Sequence, residues 1–302
     1  MKEERMKILE MLQDGNISAE EAALLLGQIA PSVPEPSEGG FFTWVKDSIF
    51  SPGGPRIVAE FESAPVGNGI AGLRLVGMND SVSIKGYRGD KIRVKCQYSS
   101  KKNVPPPIFH LEDGVYELRY DYDGMKAMKI SCKVPMALIE SLEAATSNGK
   151  LSLEELHCTK LNGTTSNGKL VLEGVRAAAA RLRTSNGKLD VEDSDIANIF
   201  AETSNGSIDL ECINTSESWT GEREMEVSTS NGGISLDLPR GLGVRLFAKT
   251  SNARVSCEMQ DAIFGEVSLS RMDGKNQRYE NAEKRIKIAL TTSNGPIKIK
   301  EV

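Results

Sequence analysis

The chain has 302 residues, 39% hydrophobic but only 5% aromatic, and a formal net charge of −5. That length holds a main body plus an accessory module, and the acidic balance excludes a general affinity for nucleic acid. Five cysteines with no C-x-x-C pair argue against a disulfide framework and a zinc site, and two histidines, His110 and His157, leave little raw material for a metal cluster or a Ser/His/Asp triad.

Residues 2–29 read as an α-helical hairpin. Met6, Leu9 and Leu12, then Ala22, Leu25, Leu26 and Ile29, have helical apolar spacing; Asp14-Gly15 stops the first helix and Ser18-Ala19-Glu20-Glu21 caps the second. A pair this small cannot bury its apolar faces alone, so residues 1–29 are expected to bind a protein partner or a second copy. Acids outnumber Lys2, Arg5 and Lys7 in this module, which predicts no nucleic-acid partner. Residues 30–40, with three prolines and a terminal Gly39-Gly40, form a linker. Residues 41–55 are expected to cap the open end of the body: Phe41 or Phe42, Val45 and Ile49 share one face of a short amphipathic helix. Contact of residues 41–50 with a membrane surface is the competing reading, weakened because Lys46 is offset by Asp47. No signal-peptide core or stretch of spanning length is apparent, so the expected location is cytoplasmic, with any membrane association confined to that segment.

Residues 56–302 carry a strand pattern. Strands are expected at 57–61, 73–76, 82–87, 92–98, 115–122 and 128–134, as irregular early coils with Val104-Pro105-Pro106-Pro107 protruding. A repeat then takes over. T-S-N-G begins at Thr146, Thr165, Thr184, Thr203, Thr229 and Thr292, and T-S-N-A at Thr250, with spacings of 19, 19, 19, 26, 21 and 42. Because 42 is twice 21, a hidden copy is expected at 271, where Arg271-Met272-Asp273-Gly274 keeps the glycine. Self-similarity at this period is the signature of a solenoid. Positions four and two before each Thr, and five and seven after it, are apolar or small, and the residue between the latter pair is polar in most copies, so two strands flank each turn. The turn glycines Gly149, Gly168, Gly187, Gly206, Gly232 and Gly295 are expected to supply positive φ. Asn-Gly between alternating runs is also a hairpin signal. The change of apolar parity across the turn favours instead a chain bending around a common interior, with coils stacked in parallel about 4.8 Å apart. Asn148, Asn167, Asn186, Asn205, Asn231, Asn252 and Asn294 would then form a hydrogen-bonded ladder. The predicted fold is mainly β: a single-stranded parallel β-helix or β-solenoid over 56–302, preceded by the helical hairpin.

Candidate chemistry is sparse. In the adjacent pair His157-Cys158 the simplest reading is an exposed His beside a buried Cys. Asp190 and Asp209 occupy the same outward position in successive coils, where their carboxylates could act together in a carbohydrate-cleaving groove or hold calcium; a solvated acidic face is the plainer reading. No catalytic residue, metal site or cofactor is predicted.

The stretch Val134-Pro135-Met136-Ala137-Leu138-Ile139-Glu140-Ser141-Leu142-Glu143-Ala144 ahead of the serial T-S-N-G-K-L phrases resembles the bacterial putative-adhesin family of unknown function. Residues 8–22 look like the SHOCT-like helical hairpin that often precedes it. The resemblance implies a β-solenoid, no established enzymatic activity and, in some relatives, an association with cell-envelope stress; it carries no active site. The expected function is a non-catalytic interaction or scaffold protein, with a surface adhesin as runner-up and a carbohydrate-active enzyme using Asp190 and Asp209 behind both.

Overall fold

A computed structural model describes residues 42–302 apart from 52–53, 68, 101–103, 212 and 215–218. The chain divides into two compact units, Met1–Gly40 and Phe41–Val302. The helical hairpin and linker expected within 1–40 lie outside the described residues.

The second unit opens with β1 (Phe42–Ser51), β2 (Gly54–Pro65), β3 (Gly69–Val76), β4 (Val82–Tyr87), β5 (Lys91–Ser100), β6 (Ile108–Glu112), β7 (Val115–Arg119) and β8 (Met125–Pro135). The repeats supply β9 (Leu138–Thr146), β10 (Leu151–Glu154), β11 (His157–Thr165), β12 (Leu170–Glu173), β13 (Arg176–Arg183) and β14 (Leu189–Glu192). They continue with β15 (Asp195–Thr203), β16 (Ile208–Glu211), β17 (Gly221–Thr229), β18 (Ile234–Leu238), β19 (Gly243–Thr250) and β20 (Val255–Glu258). Last come β21 (Ala262–Val267), β22 (Arg271–Asn276), β23 (Lys284–Thr292) and β24 (Ile297–Glu301).

Each T-S-N-G copy joins a long strand before the turn to a short one after it. The long strands pair in parallel in one twelve-stranded sheet and the short ones in another, so each repeat is one coil of a solenoid. Equivalent residues of adjacent coils align: Thr165 with Thr146, Leu170 with Leu189, Thr229 with Thr292. Period-two alternation follows. In β17 Arg223, Met225, Val227 and Thr229 are buried while Glu222, Glu224 and Glu226 are exposed. Leu151, Leu170, Leu189, Ile208 and Ile297 are each 0% exposed and stack in one inward column. Each such side chain contributes roughly 1.5–3 kcal/mol by leaving water. Medium-sized aliphatics fill the thin space between two sheets, which accounts for the low aromatic content.

Four expectations fail. Residues 42–51 form a strand, antiparallel to β2 from Phe42 opposite Glu62 to Ser51 opposite Gly54, and not a helix. The run Phe42-Thr43-Trp44-Val45 is aromatic and β-branched, favours extended backbone, and satisfies the unpaired groups along β2. The early strands are coils only in part. β3 and β4 stack on β9 and β10 around Asn79, but β1 with β2, β2 with β5, β5 with β8 and β6 with β7 are antiparallel and close this end of the stack. Val104 packs on the core and Pro107 is buried, so the proline run is held at both ends and only Pro105 and Pro106 stand exposed. Residues 271–276 are not a coil: β22 runs antiparallel to both β19 and β21. The coil that begins at β23 instead inserts between its predecessors, β23 between β17 and β19 and β24 between β18 and β20. The 42-residue spacing therefore spans a hairpin, β21–β22, that extends the long-strand sheet beyond β19 before the chain returns to fill the gap.

The 26-residue spacing is absorbed differently. Asn214, at φ 57°, and Arg223 are buried; Arg223 donates to Asn214 Oδ1 at 2.6 Å and to Asp195, beneath the Trp219 ring at 4.1 Å. Asn214 Oδ1 also accepts the Ile196 N–H at 2.9 Å, so the insertion completes the coil beneath it.

Candidate interaction surface

Every member of the repeated phrase is used by the stack. The Thr hydroxyl bridges two coils. Thr184 Oγ1 donates to the Gly168 carbonyl at 3.2 Å and accepts from its own Gly187 N–H at 3.2 Å. Thr165, Thr203, Thr229, Thr292 and Thr250 donate in the same way to Gly149, Gly187, Gly206, Gly232 and Gly295. The Ser carbonyl takes two N–H groups from the next coil, as Ser166 O does from Ser185 N at 3.0 Å and Asn186 N at 2.9 Å. The Asn amides form a continuous column. Each Nδ2 donates to the Oδ1 of the coil before it: Asn167 to Asn148 at 2.5 Å, Asn186 to Asn167 at 2.6 Å, Asn205 to Asn186 at 2.7 Å and Asn231 to Asn205 at 2.6 Å. Asn294 then donates to Asn231 and Asn252 to Asn294, each at 2.7 Å, following the inserted coil rather than chain order. At the other end Asn148 donates to Asn79 at 2.5 Å. Asn79 was invisible as a ladder member because Met78-Asn79-Asp80 shares only the Asn with the repeat. The column faces solvent.

The glycines have a different reason from the expected one. None of Gly149, Gly168, Gly187, Gly206, Gly232 and Gly295 has φ in the left-handed region. A Cβ at Gly187 would instead lie 1.8 Å from the Gly168 carbonyl oxygen, and the other five would meet the coil before them at 1.7–1.9 Å. Glycine is required by the approach of one turn to the next. Ala253 takes this position in the coil stacked on Gly295, and nothing in the structure explains why a Cβ is accepted there.

With the turns committed to the fold, the outward positions of the sheets are what the molecule presents. On the short-strand sheet Asp190 and Asp209 are opposite one another, as the sequence implies, but they are not a free carboxylate pair. Lys188 Nζ lies 2.8 Å from Asp190 and 2.6 Å from Asp209, and Lys169 also pairs with Asp190, leaving Asp190 only 4% exposed. Hydrogen bonding to Asp190, then to Asp209, holds the Lys188 ammonium pKa well above its ordinary value. A bridging cation of this kind neutralises both acids and removes the free acid and base that glycoside cleavage needs. The next outward row holds Glu154, Glu173, Glu192 and Glu211 in register.

Other groups with chemical potential are withdrawn. Burial pushes the thiol pKa of Cys96 and Cys132 far up and that of Cys158 up to about 12, so none supplies a thiolate at neutral pH. His157 is exposed beside buried Cys158, and His110 lies near Glu112 and Glu117 on the β6–β7 hairpin. Among the described residues no three His, Cys, Asp or Glu side chains stand together as metal ligands.

Residues 88–300 match the family described as Toastrack DUF4097, and residues 3–31 match the SHOCT-like domain. No curated protein matches the chain. Two solved structures are similar over most of their length. One, described as a "putative cell adhesion protein" from Clostridium sporogenes, is 14% identical, covers 80% of this chain and 99% of its own, and has a TM-score of 0.32. The other, described as a "putative adhesin" from Bacteroides fragilis, is 16% identical, covers 82% and 97%, and has a TM-score of 0.34.

Proposed function

We propose that the chain, which belongs to the Toastrack DUF4097 family, is a non-catalytic scaffold that presents the outward faces of its sheets to a partner. The observation that carries this reading is the division of labour within the repeat. Thr, Ser, Asn and Gly recur because each bonds or packs against the neighbouring coil, whereas the outward position between the two inward residues of each short strand changes from coil to coil, Ser152, Val171, Asp190, Asp209, Ser235, beside the constant glutamate row from Glu154 to Glu211. A stack with fixed turns and variable faces is how solenoids build extended recognition surfaces. The Lys188 bridge supports the non-catalytic part.

In the same proposal residues 1–29 dock the scaffold to a protein partner. Pull-downs with residues 1–30 deleted and restored test it: the partner should be lost with the module and return with it, and recovery of the same partners by both chains would refute docking. Enzymatic function is tested on a polysaccharide panel. The expected result is no turnover, and turnover abolished by Asp209→Asn would overturn the scaffold reading.

A further inference from the structure

The outward face of the short-strand sheet carries a charge order that neither the turn motif nor the core explains. Over the six strands from β5 to β14, with Glu62 and Glu211 beyond them on either side, one row runs through opposed pairs: Arg93 with Lys133, Lys133 with Lys85, Lys85 with Glu154, Glu154 with Glu173, and Glu173 with Glu192. Three cations in succession are followed by acids, at strand spacings of about 4.8 Å. Like charges directly opposite on neighbouring strands are destabilising. Ion pairs relieve the cations only at their flanks, Arg93 with Glu62 and Lys85 with Glu154, each at 3.0 Å. Among the described residues Lys133, Glu173 and Glu192 have no ion-pair partner. The row beside it is mostly small and uncharged, running from Lys95 through Ser131, Ser83, Ser152 and Val171 to the buried, lysine-paired Asp190.

We propose that this face binds a second copy of the chain, face to face, about a two-fold axis running parallel to the strands between β4 and β10. Such an axis reverses strand order while keeping each row over itself. Lys85 then meets the partner's Glu154, Lys133 the partner's Glu173 and Arg93 the partner's Glu192. The unpaired cation is set against an unpaired acid, and the small side chains of Ser131, Ser83 and Ser152 let the faces approach. A polyanion would be repelled by the acidic half and a polycation by the basic one. A partner must carry both signs in reversed order, and a two-fold copy does so by construction. Overlap of six strands covers on the order of 800 Å² in total, below the range of stable specific contacts and within that of transient ones. The association is therefore weak and salt-sensitive.

Sedimentation of the full chain over a concentration series tests this. Wild type should self-associate at low salt and dissociate at roughly 0.5 M salt. Lys133→Glu and Glu173→Lys should each weaken association by about tenfold or more. Each reversal also breaks a run of like charges, so neither should lower the melting temperature of the monomer, which separates lost contact from lost fold. An equimolar mixture of the two single variants, and the double variant Lys133→Glu/Glu173→Lys, should recover association. A wild type that stays monomeric at every concentration, single variants that associate unchanged, or a mixture and double variant that both fail to recover would each overturn the proposal. Unchanged association in the single variants would place the contact elsewhere, residues 1–29 included.

Discussion

Replacing Gly187 by alanine isolates the contact on which the stack depends. The new Cβ would fall 1.8 Å from the Gly168 carbonyl oxygen, whereas carbon and oxygen rest about 3.3 Å apart. The turn would have to rise by about 1.5 Å in a stack of roughly 4.8 Å rungs. That movement breaks or stretches the Thr184 hydroxyl bond to Gly168 and the Ser185 and Asn186 N–H bonds to Ser166. Overpacking costs about 1–3 kcal/mol and each of the three lost hydrogen bonds about 1 kcal/mol, so Gly187→Ala should destabilise by about 4–6 kcal/mol. Urea unfolding followed by circular dichroism reads this as a lower midpoint, or as early loss of the coils beyond the lesion, since repeat stacks need not unfold as one unit. Gly241→Ala is the comparison. Gly241 has φ 88° with nothing within 4 Å of a Cβ, so its cost should be the backbone strain alone, about 1–2 kcal/mol. A Gly187→Ala cost no larger than that of Gly241→Ala would refute the close-approach explanation.

Asn186→Ala should cost about 1 kcal/mol, less than a buried amide would, because the column faces solvent and water can replace the lost bonds; Asn252→Ala, at the end of the column, should cost less again, and equal denaturant midpoints for wild type and Asn186→Ala would show that the column is not bonded. Arg223→Ala leaves Asp195 and Asn214 without their shared donor and should lower stability by about 2–3 kcal/mol, read from the same unfolding curves. Cys96, Cys132 and Cys158 should resist iodoacetamide at neutral pH in the folded protein and react once it is denatured, as peptide mapping would show. For Cys158 the folded pKa is raised from 9.0 to about 12 by burial. Its contribution to stability is therefore complete below pH 9 and lost as pH rises from about 9 to 12, so alkaline titration should lower the midpoint in that window, and Cys158→Ala should flatten the fall.

Much of the repeat domain was legible because its signals are local. Apolar parity on either side of Asn-Gly marks which side chains point inward, and Leu170, Leu172, Leu189 and Val191 are buried as that parity requires. The Asn column follows from placing identical turns in register. What could not be read depends on contacts between distant segments. The reason for Gly187 lies in the carbonyl of Gly168, one coil away, and local turn chemistry suggests positive φ instead. The spacing from Thr250 to Thr292 admits a hidden coil numerically, but only backbone pairing shows β23 seated between β17 and β19. Phe42-Thr43-Trp44-Val45 satisfies a helical stripe and a strand preference alike, and the free edge of β2 settles the choice. Lys188 between Asp190 and Asp209 was likewise hidden, since it lies at the turn end of one coil and reaches the acid of the next.

The in-register stack, with its last coil inserted out of chain order, is the premise of every face and column described above. Paired cysteines test it most directly. Adjacent rungs put equivalent Cα atoms about 4.8 Å apart, within disulfide reach, and rungs two apart at roughly 9.6 Å, beyond it. Asn231→Cys with Asn294→Cys should therefore cross-link under mild oxidation, and Asn231→Cys with Asn252→Cys should not. Efficient cross-linking of positions 231 and 252, with none between 231 and 294, would mean that the coils follow chain order and would contradict the inserted stack.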